Sequence, residues 1–178
     1  MKLLILNGPN LNLQGRRDPD VYGTETFDGL MDRLRGRFPE TEFAYFQSNI
    51  EGELIDALHR AEGTYAGVVL NAGGYTHTSV ALRDAVAAVR VPVVEVHISS
   101  ILAREEFRHV SLLAPVAAGS IMGFGLLSYE LGVRALLEIV RDPQARLARP
   151  GALRPLSGEA SDRSAAQDDG CDREPKKM

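Results

Sequence analysis

The chain has 178 residues, an apolar fraction of 44% and a formal net charge of −4, which fits one domain large enough to bury a core. Its 20 Lys and Arg residues against 24 Asp and Glu residues exclude the basic excess typical of a nucleic-acid-binding face. Its one cysteine, Cys171, excludes an intrachain disulfide framework, and no apolar run approaches the roughly 18 residues of a membrane span. We therefore expect a cytoplasmic protein that binds neither nucleic acid nor membrane.

Short runs rich in apolar residues alternate with helical patterns over residues 1–140. The runs indicate strands that are buried on both faces of a sheet. The predicted strands are 3–6, 43–46, 67–70, 91–96 and, more weakly, 120–124. Apolar residues at helical spacing predict helices that begin near Phe27, Asn49, Thr78 and Leu126, with Asn49 and Thr78 as N-caps. About five units of this kind predict a doubly wound α/β domain with a five-stranded parallel sheet and helices on both faces.

The composition changes abruptly after residue 141. Residues 142–178 contain no Val, Ile, Thr, Phe, Tyr or Trp, and their seven basic and seven acidic residues cancel. Such a segment buries too little apolar area to offset the entropy lost when it becomes ordered. We therefore expect a folded domain over 1–141 and a disordered tail over 142–178, with Cys171 as an exposed thiol in the tail.

Several classes of site are absent from the sequence. Lysines occur at positions 2, 176 and 177, all near the chain ends, which excludes a buried Schiff-base lysine. No Gly-rich dinucleotide fingerprint follows the first strand, and no Gly-x-Ser-x-Gly elbow is present. No set of His, Cys and carboxylate residues has the spacing typical of a zinc site.

Polar side chains follow each of the first four predicted strands. In a parallel sheet the carboxyl ends of the strands meet at one edge, where ligands bind. The residues expected at this edge include Asn7, Asn10, Asn12, Gln47, Ser48, Asn49, Asn71, Thr76, His77, Glu95, His97 and Ser99. Amides and imidazoles with few fixed charges suit a neutral or singly anionic polyhydroxylated ligand better than a nucleotide.

Three local patterns add candidate chemistry, each with a plain structural alternative. Glu95 and His97 share one face of a strand, where the carboxylate would orient the imidazole as a general acid or form only an ion pair. The long segment 11–25 is typical of an active-site lid, in which a guanidinium favours the phenolate form of Tyr22 or both side chains are inert. Arg104 and Arg108 either clamp a carboxylate or pair with neighbouring glutamates on the surface.

Several longer motifs, in this order, resemble the type II 3-dehydroquinate dehydratases over about residues 3–137. The motifs are LNGPNLNL at 6–13, GRRDP at 15–19, YG at 22–23, FQSNIEG at 46–52, LNAGGYTHTS at 70–79, ALRD at 81–84, EVHIS at 95–99 and REEFR at 104–108. Two positions depart from the family pattern: Asp18 stands where Glu is usual, and Gln14 stands where an apolar residue is common.

The resemblance implies a flavodoxin-like fold and a hydro-lyase of the shikimate pathway that converts 3-dehydroquinate to 3-dehydroshikimate without cofactor or metal. It implies catalytic roles for Tyr22 as the base, Arg17 as its support, Asn10 at the enolate, and His97 as the acid oriented by Glu95. The substrate-binding residues that it implies are Asn71, His77, Asp84, Ile98, Ser99 and Arg108, with Asp84 reaching a neighbouring subunit of a dodecamer built from trimers. A binding module without chemistry, and a diverged lyase or isomerase acting on another hydroxy acid, remain as alternatives.

Overall fold

The computed structural model describes residues 1–15 and 26–142, which form a parallel sheet between two layers of helices. The strands are β1 (Lys2–Asn7), β2 (Glu42–Gln47), β3 (Gly67–Asn71), β4 (Val93–His97) and β5 (Gly119–Met122). The helices are α1 (Phe27–Arg37), α2 (Glu51–Ala61), α3 (Tyr75–Thr78), α4 (Val80–Ala88) and α5 (Leu127–Arg141). Three short 3₁₀ turns, Leu11–Leu13, Ile101–Ala103 and Glu106–Arg108, lie in the connections.

The strands are ordered β2-β1-β3-β4-β5 in the sheet, and every pair is parallel. This is the flavodoxin-like order, in which the direction of winding reverses between β1 and β3. From β1 the chain continues to β2 at one edge of the sheet, whereas from β3 it continues to β4 and β5 toward the opposite edge. The predicted fold class, a five-stranded parallel sheet with helices on both faces, is therefore confirmed.

Alternating residues of the central strands face two separate apolar cores. On β1, Leu3 and Ile5 pack with residues of α1 and α5, whereas Leu4 and Leu6 pack with residues of α2 and α4. These four leucine and isoleucine side chains are at most 3% exposed. Burial on both faces explains why the central strands have continuous apolar runs rather than the alternation of a half-exposed sheet.

Gly8 holds the loops after β1 and β3 against each other. Its N–H donates to the carbonyl of Asn71 at 2.7 Å, and a Cβ atom at this position would lie 2.4 Å from the carbonyl oxygen of Ala72. A larger residue would therefore separate the two loops, so glycine is required by close approach of the backbones.

The helix caps differ from the sequence prediction. Ile50, not Asn49, occupies the N-cap position of α2, and Ser79, not Thr78, caps α4 by accepting the Leu82 N–H at 2.7 Å. The Asn49 side chain instead accepts the backbone N–H of Asn10 at 2.9 Å. Both predictions are wrong by one residue. At α4 the adjacent Thr78 and Ser79 compete for the cap, whereas at α2 the Asn49 side chain is engaged by Asn10 and Gln47 and the helix has no side-chain cap.

The predicted tail over 142–178 lies outside the described residues except for Asp142, so its boundary stays a prediction. Within residues 1–15 and 26–142, no helix combines the length and apolar character needed to cross a membrane.

Candidate active site

A cavity of about 480 Å³ opens at the carboxyl edge of the sheet. It lies where the connections after β1 and β3 diverge, which is where open α/β sheets form ligand crevices. The predicted site residues that line it are Asn10, Asn71, His77, His97, Ile98, Ser99 and Arg108. Residues far apart in the sequence are therefore brought together by the parallel arrangement of the strands.

Two other predicted residues, Glu95 and Asp84, are described but do not line this cavity. Glu95 lies behind His97 and is fully buried. Asp84 is 66% exposed on α4, where it pairs with Arg83 at 3.3 Å, and it is not among the described residues that line the cavity. Arg17 and Tyr22 lie outside the described residues, so their roles stay predictions.

Glu95 and His97 form a buried hydrogen-bonded pair at the end of β4. Nε2 of His97 donates to Oε1 of Glu95 at 2.9 Å, and the whole His97 residue is 6% exposed. With Nε2 held by the carboxylate, Nδ1 is the ring nitrogen that remains for proton exchange with a ligand. His97, oriented by Glu95, can therefore act as a general acid or a general base.

Three hydroxyl groups also converge on the Glu95 carboxylate. Thr76 Oγ1 and Ser111 Oγ donate to Oε1 at 2.9 and 2.7 Å, and Ser120 Oγ donates to Oε2 at 2.7 Å. Each donor comes from a different part of the fold: α3, the segment before β5, and β5 itself. Sequence reasoning did not single out Ser111 or Ser120, because isolated serines carry no motif.

These donors keep the carboxylate ionised. Burial alone would raise the pKa of Glu95, but the hydrogen bond and charge of His97 and the hydroxyls of Ser120 and Ser111 lower that pKa to about 2. The proton shared with His97 therefore stays on the imidazole, and the carboxylate acts as a fixed negative charge that orients the ring.

Asn10 enters the cavity from the turn after β1. Its φ of 67° lies in the left-handed region, which asparagine tolerates better than most residues. Its backbone N–H donates to Oδ1 of Asn49 at 2.9 Å, and Nε2 of Gln47 donates to that same oxygen at 3.1 Å and to the Gly8 carbonyl at 3.2 Å. Side chains at the end of β2 therefore hold the turn in an otherwise uncommon conformation.

His77 joins helix α3 to the segment that carries Arg108. Its Nδ1 lies 2.8 Å from the carbonyl oxygen of Val110 and donates to it; this leaves Nε2 of the neutral ring as an acceptor. The Leu112 N–H also donates to the Thr76 carbonyl at 2.8 Å. These two bonds bring the imidazole and the arginine to the same cavity.

Arg108 supplies positive charge at the opening of the cavity. Its Nε donates to Oε2 of Glu105 at 2.9 Å, and its guanidinium carbon lies 4.9 Å from the centre of the Phe107 ring. These contacts engage the Nε atom and one face of the guanidinium plane. The two terminal nitrogens have the geometry that pairs with a carboxylate. Arg104 lines the same cavity, so the two arginines that the sequence suggested as a clamp lie together.

Gln14 is a cavity residue that sequence reasoning did not assign to the site. It is 8% exposed and follows the 3₁₀ turn at Leu11–Leu13. The sequence signal that could have identified Gln14 as a site residue is that it is polar at a position where an apolar residue is common in the family. Among the described residues, no three His, Cys, Asp or Glu side chains lie close enough together to hold a metal ion.

Comparisons with known proteins agree on one family. The family model described as "Dehydroquinase class II" matches residues 1–137. A 3-dehydroquinate dehydratase from an Exiguobacterium species is 60% identical over 139 residues, which cover 78% of this chain and 95% of that protein. The corresponding protein of a Synechocystis species is 57% identical over 139 residues, covering 77% of this chain and 91% of its own.

A solved structure supports the same assignment. The crystal structure of a type II dehydroquinase from Butyrivibrio crossotus superposes with a TM-score of 0.74 at 42% identity, covering 77% of this chain and 97% of that chain. The resemblance found in the sequence motifs is thereby confirmed. By its sequence, its fold and the residues around its cavity, the chain belongs to the class II dehydroquinase family.

Proposed function

We propose that this chain is a hydro-lyase that dehydrates 3-dehydroquinate to 3-dehydroshikimate in the shikimate pathway. The observation that carries the proposal is the buried Glu95–His97 pair beside a cavity lined by amides, the Ser99 hydroxyl and two guanidinium groups. Such a lining suits a cyclic polyhydroxylated substrate with one carboxylate. Family membership and the names of relatives that are 57–60% identical support this substrate.

The reaction divides between a base and an acid. Removal of the C2 proton by the Tyr22 phenolate leaves an enolate, and departure of the C1 hydroxyl with a proton from His97 completes the loss of water. Arg17 supports the phenolate, and Asn10 contributes to holding the enolate. A positioned base or acid typically contributes 10²–10⁴-fold each, so the reaction is proposed to proceed without a cofactor or metal ion.

The remaining cavity residues bind and orient the substrate. Arg108 pairs with its carboxylate, because its terminal nitrogens offer two parallel N–H donors. His77 accepts a substrate hydroxyl at Nε2, since its Nδ1 is engaged by the Val110 carbonyl. Asn71, Ile98 and Ser99 complete the proposed contacts with the ring hydroxyls and the carboxylate.

The assembly and the location of the protein are also proposals. A dodecamer of four trimers would allow Asp84 to reach the cavity of a neighbouring subunit, and its 66% exposure on α4 supports a contact outside its own chain. Exposed apolar residues such as Leu102, Phe107 and Phe124 are further support for buried contacts between subunits. A cytoplasmic location is also proposed, as the sequence leads us to expect.

Turnover of 3-dehydroquinate is the decisive experiment. The purified protein is incubated with the substrate, with and without a metal chelator, and the ultraviolet absorbance of the conjugated product is followed. We expect an absorbance rise that the chelator does not change and that a His97→Asn variant abolishes. A flat trace from folded protein would favour a binding module, whereas turnover of another member of a hydroxy-acid panel would favour a diverged lyase.

A further inference from the structure

Tyr129 lies completely buried between two asparagines at the carboxyl edge of the sheet. Its hydroxyl donates to Oδ1 of Asn7 at 2.8 Å and accepts from Nδ2 of Asn71 at 2.8 Å. The residue is 0% exposed, and its ring meets the ring of Phe27 edge-on at 5.4 Å between centroids. The ring therefore belongs to the apolar core, whereas the hydroxyl reaches the polar edge.

The two asparagines are aligned by the sheet. Asn7 and Asn71 are the last residues of β1 and β3 and are paired in the register, so their side chains leave the same face. Tyr129 in the first turn of α5 packs over that face, together with Leu3 and Ile5. The Glu95 carboxylate instead accepts from Thr76 and Ser111. The cluster around the Tyr129 hydroxyl and the cluster around Glu95 therefore have different hydrogen-bond partners.

The Gly73 N–H and the Tyr129 hydroxyl together hold the Asn71 amide in one orientation. Burial raises the pKa of Tyr129 above its ordinary range, so the group remains a hydroxyl with one hydrogen and two acceptor lone pairs. The hydrogen goes to Asn7, and a lone pair accepts from Nδ2 of Asn71. At the other end of the amide, Oδ1 of Asn71 accepts the N–H of Gly73 at 3.2 Å. A flipped amide would place its NH₂ group against that N–H, donor against donor.

Of the three side chains of Asn7, Asn71 and Tyr129, that of Asn71 alone lines the described cavity. An amide nitrogen carries two hydrogens and an amide oxygen carries two lone pairs. Tyr129 and Gly73 each use one of these, so a defined second donor and a defined second acceptor remain for a ligand hydroxyl. An Asn71 amide that could rotate freely would present either its NH₂ group or its oxygen to the ligand. Binding would then cost the entropy of fixing the amide in one orientation.

We propose that Tyr129 is a positioning residue for substrate binding, which acts together with the Gly73 N–H by holding the Asn71 amide in one orientation toward a substrate hydroxyl. The proposal rests on the function proposed above. Tyr129 does not touch the substrate, and it takes no part in proton transfer. Its effect is therefore on ground-state binding, in which one oriented amide contact is lost, rather than on the chemical step.

Tyr129→Phe tests the proposal, with Tyr45→Phe as a matched control. Both changes remove one hydroxyl from the aromatic cluster around Phe27, and both hydroxyls contact Asn7, but only that of Tyr129 contacts Asn71. We expect Tyr129→Phe to raise KM by about 10-fold with kcat within about 2-fold, and Tyr45→Phe to leave both within about 2-fold. A fall in kcat at unchanged KM, or equal effects of the two variants, would overturn the proposal.

A double variant separates positioning from general loss of packing. In the background of Asn71→Ala, adding Tyr129→Phe should change KM by less than about 2-fold, because the amide through which the hydroxyl acts is already gone. The same factor in both backgrounds would contradict the proposal.

A measurement that needs no turnover keeps this test distinct from the test of function. In the wild-type protein without ligand, the side-chain amide hydrogens of Asn71 should exchange with solvent far more slowly than those of Asn12. Equally fast exchange would overturn the proposal whatever the substrate is. Failure of the wild type to turn over 3-dehydroquinate would instead contradict the proposed function alone.

Discussion

Ser120 and Glu95 are paired in the register of β5 and β4, and the Ser120 hydroxyl donates to Oε2 of the carboxylate at 2.7 Å. The other carboxylate oxygen accepts from His97, Thr76 and Ser111. A neighbouring strand therefore supplies the donor for the oxygen that His97 does not use. The carboxylate stays charged inside the protein because both of its oxygens are satisfied.

Removal of the Ser120 hydroxyl should weaken the protein in a pH-dependent way. The folded-state pKa of Glu95, about 2, lies below the ordinary 4.5, so its contribution to stability is complete above pH 4.5 and is lost as the pH falls toward 2. Ser120→Ala raises the folded-state pKa. We expect a deficit of about 1 kcal/mol above pH 4.5 that shrinks below it.

Urea unfolding between pH 3 and pH 7 measures this deficit, with Thr64→Ala at an exposed position as the control. A deficit that is the same at every pH would show that the serine acts through packing rather than through the charge of Glu95.

Neutralising Glu95 should damage catalysis more than binding. In Glu95→Gln one of the oxygens to which His97 and three hydroxyls donate becomes an NH₂ group, and the fixed negative charge that stabilises the protonated imidazole is lost. We expect kcat to fall by about 10²–10³-fold with KM changed less than about 3-fold. Steady-state kinetics measure this effect, with Glu138→Gln on the surface of α5 as the control. Equal kcat values for the two variants would show that Glu95 has no role in catalysis.

Much of the site was predictable from the sequence because of one geometrical rule. The carboxyl ends of parallel strands meet at one edge, so the amides after β1 and β3 and the imidazole at the end of β4 had to lie near one another. Asn10, Asn71 and His97 all line the described cavity for this reason. The rule works without knowledge of the strand order, since every strand of a parallel sheet contributes to the same edge.

The supporting contacts were not predictable, because they depend on packing between distant segments. Tyr129 and Asn7 are 122 residues apart, and nothing in a helical pattern distinguishes a tyrosine whose hydroxyl is used from one that only fills the core. Ser111 and Ser120 likewise reach Glu95 from 16 and 25 residues away. The error in the α2 cap has the same origin, since the Asn49 side chain is engaged by the turn at Asn10.

Loss of the Tyr22 hydroxyl should affect turnover far more than substrate binding. If the phenolate removes the C2 proton, Tyr22→Phe lowers kcat by about 10²–10⁴-fold, the usual range for a positioned base, and leaves KM within a few-fold. Tyr65→Phe, a change beside Lys2 and outside the described cavity lining, is the matched control. Undiminished kcat in Tyr22→Phe would exclude the tyrosine as the base.

Removal of the Arg108 guanidinium should weaken binding of the ground state as well as of the transition state. Arg108 lines the cavity, and Glu105 holds its Nε at 2.9 Å, so the terminal nitrogens are oriented before the substrate arrives. A charge-assisted bond contributes about 1.5–3 kcal/mol, and we therefore expect Arg108→Ala to raise KM by about 10–100-fold. Arg108→Lys keeps the charge but loses the planar pair of donors, and it should recover only part of the loss. Arg141→Ala on the exposed end of α5 controls for the loss of one positive charge. Carboxylate recognition by Arg108 would be contradicted if Arg108→Ala and Arg141→Ala gave the same KM.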